Sequence, residues 1–359
     1  MTMTPVERLA LRTRFGLTQA ARVGWYAAQN RAGVRAGREA GEGLPPPPKP
    51  VIEAPAGVPE RATLLKHVRQ LLARDLANIE AGLYPMPKDE PDGLRGMFAQ
   101  RDLYLKDIPA IVRRRATGSH QELDRSGATR PRYYMQNFHF QTDGWMSEES
   151  AKLYDTQVET LFFGAAAAMR RQGLVPIAEM VRARDQRRLK MLDVASGSGA
   201  FLADVRHAFP RLPVIASDLS EPYLGLARQR VRRAGGAALS GAVVGAAEAL
   251  PFAADAFDLV SNIYLFHELP PKVRPLVAGE LARVLSPGGR LIVIDSLQTG
   301  DNLELDGLLE LFPQLFHEPY YRSYVTEDMI GLFEGRGLTL VASWAAFVSK
   351  VMVFEKAPR

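Results

Sequence analysis

Within the stretch from Val58 to about Arg188 the apolar positions Leu64, Leu65, Val68, Leu71, Leu72, Leu76 and Ile79 return every three or four residues, and Tyr154, Val158, Leu161, Phe162, Ala165 and Met169 repeat that spacing further on. Such a stripe lies on one face of a helix, so both are expected to be core-facing helices rather than cofactor surface. From Lys190 the rhythm changes. Short apolar runs at Lys190 to Val194, Val214 to Ser217, Gly241 to Gly245, Phe257 to Ile263 and Arg290 to Asp295 alternate with amphipathic stretches such as Glu221 to Arg233 and Lys272 to Leu285. That alternation predicts parallel strands joined by crossover helices. Ser220 ahead of Glu221 and Pro222 marks a helix start, and Gly235 a stop. An insertion, Leu305 to Gly337, then precedes two more runs, Leu338 to Trp344 and Phe347 to Glu355, which predict a closing hairpin.

Before Lys190 the pattern is mostly helical, in two pieces. Residues 1 to about 43 read as helix ending in Gly37, Gly41 and Gly43, and Pro45-Pro46-Pro47-Pro48-Lys49-Pro50 forbids helix and predicts an extended spacer. The chain therefore divides into a basic helical arm with its linker (1–50), a helical region (51–185) and a sheet-forming region (186–359). Charge sharpens this division. The net +5 falls wholly in the first 50 residues, with eight Lys/Arg against Glu7, Glu39 and Glu42, and the remainder balances. A balanced remainder offers no broad phosphate-binding surface, so nucleic acid is not an expected partner. Within the arm, Leu11, Phe15 and Tyr26 share a side with Arg8 and Arg22, so apolar and charged surfaces do not separate. Peripheral membrane contact, self-association and packing on the chain's own body all stay open for it. Deleting residues 1–50 is expected to leave cofactor binding intact.

The absence of cysteine removes disulfides, thiolate metal sites and cysteine-ligated clusters. The six histidines fall at no ligand spacing, so no metal is expected. No run of about 18 apolar residues occurs, and the first residues lack an apolar signal core, so a cytoplasmic protein, at most peripheral to a membrane, is expected.

Candidate chemistry centres on Leu192-Asp193-Val194-Ala195-Ser196-Gly197-Ser198-Gly199, followed by Asp218 at the end of the next apolar run. A strand entering a glycine-rich turn and a helix, with an acid closing the next strand, binds an adenosine-bearing cofactor. Two cofactors compete. A nicotinamide dinucleotide calls for a third glycine where Leu202 stands, and Asp193 would repel its diphosphate. S-adenosylmethionine carries an ammonium group that Asp193 would attract. Its carboxylate suits the N–H groups of the turn, and its ribose hydroxyls suit Asp218.

Two further segments stand in the same order, Gly245-Ala246-Ala247-Glu248-Ala249-Leu250-Pro251-Phe252 and Glu280-Leu281-Ala282-Arg283-Val284-Leu285-Ser286-Pro287-Gly288-Gly289. From Lys190 to about Ser296 the chain thus resembles the class I S-adenosylmethionine-dependent methyltransferases, and within them the ubiquinone/menaquinone C-methyltransferase subgroup. The resemblance implies an α/β fold, a Rossmann-like doubly wound seven-stranded sheet with a terminal antiparallel hairpin, here preceded by a mostly helical N-terminal region. It implies methyl transfer from S-adenosyl-L-methionine to a small apolar or aromatic acceptor, quinone-like or lipid-like. It assigns to the cofactor Asp193, Ala195, Gly197, Ser198, Gly199, Asp218, Leu219, Ala247, Glu248 and Asn262. Ala195 replaces the commonest first glycine. Ala246 stands where many relatives carry an acid or amide that reads the adenine amino group, which leaves adenine to backbone near Ala247 and Glu248 and to packing by Leu219 or Leu250. That loss keeps open a non-catalytic S-adenosylmethionine-binding regulatory or assembly protein; a nicotinamide-dependent oxidoreductase is the other alternative.

A sulfonium methyl donor chiefly needs its acceptor held in line and water excluded, with a base where the acceptor must lose a proton. His267, beside Tyr264 and Glu268 after the fourth strand, is the first candidate base, and His317 in the insertion the second. The aromatic and polar segment Tyr133 to Met146 is a candidate lid. Gly199→Val is expected to abolish cofactor binding and to leave the fold largely intact.

Overall fold

The computed structural model describes residues 3–46, 48–88, 93–120, 123, 130–235 and 238–358; Pro47 of the proline run lies outside them. Among the described residues six α-helices precede the sheet: α1 (Pro5–Ala40), α2 (Arg61–Glu80), α3 (Gly93–Thr117), α4 (Glu148–Leu161), α5 (Ala166–Arg171) and α6 (Leu174–Ala183). Then follow β1 (Met191–Val194), α7 (Ala200–Ala208), β2 (Val214–Asp218), α8 (Glu221–Ala234), β3 (Gly241–Val244), β4 (Phe257–Ile263), α9 (Arg274–Val284) and β5 (Leu285–Ser296). The insertion forms α10 (Asp306–Leu315), α11 (Tyr321–Tyr324) and α12 (Met329–Glu334), and β6 (Leu338–Ala346) and β7 (Ser349–Lys356) close the chain.

The seven strands run in the order β3-β2-β1-β4-β5-β7-β6. The first five are parallel, and β7 pairs antiparallel with both β5 and β6. This is the expected doubly wound sheet with its terminal hairpin. Helices on both faces explain why β1 is buried along its whole length, and why its sequence is a continuous run rather than an alternating one. The order reverses between β1 and β4, so the crossovers leave in opposite directions and a crevice opens at the carboxyl ends of these strands. Register brings the chemistry to that edge: Asp193 lies level with Ala216 and Ser261, and Val194 with Ser217 and Asn262. The Ser220 hydroxyl caps α8 by accepting from the Tyr223 N–H, and Gly235 ends it at φ +84°.

The N-terminal helix departs from a free arm. A capping box between Thr4 and Glu7 starts α1, and Phe15, Gln19, Arg22, Tyr26, Gln29 and Gly33 are buried where it lies along α3 and touches α2 and α4. Its mixed face finds partners of both kinds: Arg12 pairs with Glu80 at 2.5 Å, and Arg22, buried, with Glu159 at 2.9 Å. The absence of a clean amphipathic face follows, because this helix buries Arg22 against a carboxylate as well as Phe15 and Tyr26. No described helix is long and apolar enough to cross a membrane.

Candidate active site

The ends of β1, β2 and β4 open onto a pocket of about 140 Å³. The turn after β1 makes its floor. Ala195 sits at φ +57° and Gly197 at φ +53°. The left-handed conformation costs a residue with a Cβ roughly 1 kcal/mol, so glycine is the commoner choice at the first position and alanine a tolerable one. Asp218 ties the turn to β2, one oxygen accepting from the Gly197 N–H and the other from the Ser220 N–H, each at 2.7 Å. Burial raises its pKa, and those N–H groups act against the rise. Asp193 is buried and accepts from the Ser261 hydroxyl at 2.5 Å; burial pushes its pKa up to about 7.

Of the residues assigned from sequence, Asp193, Ala195, Gly197, Ser198, Asp218, Leu219, Ala247 and Glu248 line this pocket. Gly199 and Asn262 stand behind it. A Cβ on Gly199, at φ +75°, would lie 2.7 Å from Ala227 Cα, so this glycine lets α7 pack on α8 and a branched side chain there would disturb the fold itself. Asn262 is wholly buried; it donates to the Val194 carbonyl at 2.9 Å, and its own oxygen has no partner.

The opposite wall comes from helices ahead of the sheet. Tyr133, Tyr134, Phe138 and Trp145 of the candidate lid face the pocket. The Tyr133 hydroxyl donates to Glu248 at 2.6 Å, and the Ser220 hydroxyl donates to the Trp145 carbonyl at 2.6 Å, which fastens both ends of the segment. Tyr154, Asp155, Val158 and Arg170 complete the wall, so the stripe expected to be only core also forms cavity surface. The signal that marks them is charge within that stripe. Asp155 accepts from the Ser198 hydroxyl at 2.8 Å and pairs with Arg230; burial opposes its ionisation, but Arg230 and Arg170 hold its pKa down. Arg170 donates to Glu159 at 2.8 Å, and Glu159 also receives Arg22 from α1. The first helix therefore reaches the pocket through one buried carboxylate, a connection that deleting residues 1–50 would remove.

This donor set suits S-adenosylmethionine. Two carboxylates on one side, Asp193 buried and Asp218 partly buried, attract an ammonium and accept from ribose hydroxyls, whereas a diphosphate would meet them with repulsion. Arg170, whose Nε is buried without a partner, would meet the cofactor's carboxylate. Among the described residues no cluster of His, Asp and Glu could hold a metal.

The two histidines named as bases sit apart. His267 donates through Nδ1 to Asp295 at 2.5 Å, and its Nε2 lies 3.9 Å from Glu268. Burial works against its charge, but Asp295 outweighs that and lifts its pKa to about 9. It is thus a cation at neutral pH. Glu268 lines the cofactor pocket, and burial pushes its pKa to about 8. His317 is on the far side of the lid, stacked on His120 at 4.1 Å and bonded to Gln136 at 2.9 Å, with burial bringing its pKa down to about 4. Beside the cofactor pocket lies a second, apolar cavity walled by Phe162, Phe312, Tyr321, Leu309 and His267, which shares Tyr154, Val158 and Tyr264 with the first.

A sheet that reverses order over a carboxylate-lined adenosine pocket and ends in an antiparallel pair defines a class I S-adenosylmethionine-dependent methyltransferase domain. Residues 191–289 match the family described as a methyltransferase domain. An uncharacterized methyltransferase of Synechocystis sp. is 32% identical over 152 residues, 42% of this chain and 68% of that one. The demethylmenaquinone methyltransferase of Thermus thermophilus is 34% identical over 151 residues, 42% of this chain and 64% of the relative. A ubiquinone/menaquinone biosynthesis C-methyltransferase of Pasteurella multocida is 36% identical over 107 residues, 30% and 39% of the two chains. The chain belongs to this methyltransferase family. It spans between 39% and 64% of the length of the first curated relatives it matches.

Proposed function

We propose that the chain transfers a methyl group from S-adenosylmethionine to a small, apolar, aromatic acceptor of quinol type. The observation that carries this reading is the apolar cavity beside the cofactor pocket, whose aromatic side chains Phe162, Phe312 and Tyr321 fit a flat ring and which shares Tyr154, Val158 and Tyr264 with that pocket. Relatives named for menaquinone and ubiquinone biosynthesis support it. The cofactor supplies a methyl already activated on a positively charged sulfur.

The chain's own groups hold the ring and handle its proton. Glu268 lines the cofactor pocket and takes the hydroxyl proton of the acceptor, which raises the nucleophilicity of the ring carbon; as the new carbon–carbon bond forms the methyl–sulfur bond breaks to leave a neutral thioether, and the ring carbon's own hydrogen then departs as a proton, restoring the aromatic ring. His267, charged and fixed by Asp295, favours the ionised form of Glu268 at the moment it is needed. Tyr133, Trp145 and Phe138 close the pocket against water. Carboxylate pKa values raised toward the working pH suit such a base, so turnover should rise as pH passes about 8 and decline once His267 loses its proton above about 9.

The test is incubation of the protein with S-adenosylmethionine and 1,4-naphthalenediol, with mass spectrometry reading the monomethylated product. Glu268→Gln should lower kcat by about a hundredfold, within the usual worth of a positioned base, and leave cofactor affinity unchanged. An unaltered kcat and pH profile in that variant would remove Glu268 from the chemistry.

A further inference from the structure

A cavity of about 690 Å³ lies between α1, α3 and α4, outside the segment that matches the methyltransferase family. Gly33, Gly37 and Gly41 recur every four residues along α1 and so present bare backbone on one face, opposite Ile108 and Val112 of α3. Its inner end is formed by His139, Val158 and Leu161, and these same three residues wall the apolar acceptor cavity. The two spaces therefore adjoin. The lining is not wholly apolar. Thr160, buried, has a hydroxyl without a hydrogen-bond partner, as has the side-chain oxygen of Gln157. Arg115 stacks over Phe316, its Nε is buried without a partner, and among the described residues no carboxylate pairs with it. Burial lowers its pKa. A guanidinium left so calls for an oxygen acceptor, and an apolar channel beside it calls for hydrocarbon.

We propose that this groove holds an aliphatic chain attached to the methyl acceptor, with a carbonyl or carboxylate oxygen of that chain at Arg115. The aliphatic site stands on the groove itself; its assignment to the acceptor rests on the transferase reading above. The continuity through His139, Val158 and Leu161 places the chain's ring-bearing end toward the cofactor and its free end toward Leu44 and Pro45 at the linker. The helical region ahead of the family-matched segment then sets which acceptors are used, while the sheet sets the chemistry.

Dodecanoate and dodecanol serve as probes, measured by calorimetry on the full chain. Gly37→Leu fills the groove: its Cβ would meet only Val112 and Ile108 methyls at 3.8 and 3.9 Å, and leucine favours helix over glycine, so the fold holds. Both probes should bind the unmodified protein and lose about tenfold or more in affinity in Gly37→Leu. Arg115→Gln should cost dodecanoate about tenfold and dodecanol less than about twofold, since only the acid offers a charged acceptor. Probe affinity unchanged by Gly37→Leu would overturn the site. For the acceptor, 2-dodecanoyl-1,4-naphthalenediol should show a KM about tenfold below that of 1,4-naphthalenediol, an advantage lost in Gly37→Leu at unchanged kcat for the shorter diol. Equal KM values would overturn the assignment of the chain to the acceptor. Methylation of neither diol, with dodecanoate and S-adenosylmethionine both bound, would instead sink the quinol reading and leave the aliphatic site standing.

Discussion

On the sheet side of the cofactor pocket, Asp193 and Asp218 end neighbouring parallel strands, and their oxygens meet backbone N–H groups and a serine from the next strand. On the helical side, Asp155 and Arg170 extend from α4 and α5 and meet other side chains: Ser198, Arg230 and Glu159. One wall is fixed by the ladder of the sheet. The other is fixed by a line of buried ion pairs that runs outward to α1. Backbone bonds hold whatever the neighbouring side chains do, whereas a buried ion pair fails as a unit when one member is removed. The same pocket thus has a wall set locally and a wall set from a distance.

The largest effect should come from the distant wall. Arg22→Met leaves Glu159 in the interior with only Arg170, and breaking a buried pair by removing one partner costs about 3 kcal/mol. Urea unfolding should show that loss, and cofactor affinity should fall with it because Glu159, which holds Arg170, has lost its other partner. A variant as stable as the parent would mean that the helical wall stands without α1, and the contrast would collapse. Next comes Asp218→Ala. Hydrogen bonds to a charged acceptor contribute about 1.5–3 kcal/mol, so S-adenosylmethionine affinity should drop by about thirtyfold, read by calorimetry. Unchanged affinity in a folded variant would remove the sheet wall from cofactor recognition.

The smallest effect separates Asp193 from its neighbours. Burial lifts its pKa to about 7 in the free protein, and an arriving ammonium favours the ionised form, so binding below pH 7 must release a proton. Affinity should therefore fall by about tenfold as pH drops from 8 to 6, at about 1.4 kcal/mol per unit of pKa. Asp193→Asn should flatten that dependence. A wild-type affinity independent of pH over this range would show that the ammonium is received elsewhere.

The sheet wall was legible because its demands are local. Asp193, the turn through Gly197 and Asp218 stand where strand ends and tight turns must put them, and strand boundaries followed from short apolar runs. Gly199 was legible as a required glycine, but for a different cause: the pressure on it comes from Ala227 on α8, a contact that no local spacing reveals. The helical wall was hidden for a physical reason. Tyr154 and Val158 are withdrawn from water whether they face a packed core or a cavity, so their spacing is the same in both cases. Asp155, Glu159 and Arg170 carried the clue, since charges inside an apolar stripe need partners from elsewhere. His317 shows the reverse hazard. A histidine among aromatics looked like chemistry, and its stacking on His120 with a lowered pKa makes it neutral and remote from the pocket.

The line from Arg22 through Glu159 to Arg170 also has a direction in time. A chain grows from its N-terminus at about 5–20 residues per second, and the Gly164 carbonyl that Arg22 also binds lies 142 residues further on, so roughly 7 to 30 s pass between the synthesis of the two. During that interval α1 has no carboxylate to receive its arginine and no partner helices to cover Phe15 and Tyr26, which end up 3% and 4% exposed. This helix is made long before its partners and is seated late, and until then the nascent chain presents rings beside positive charge to whatever waits at the ribosome exit.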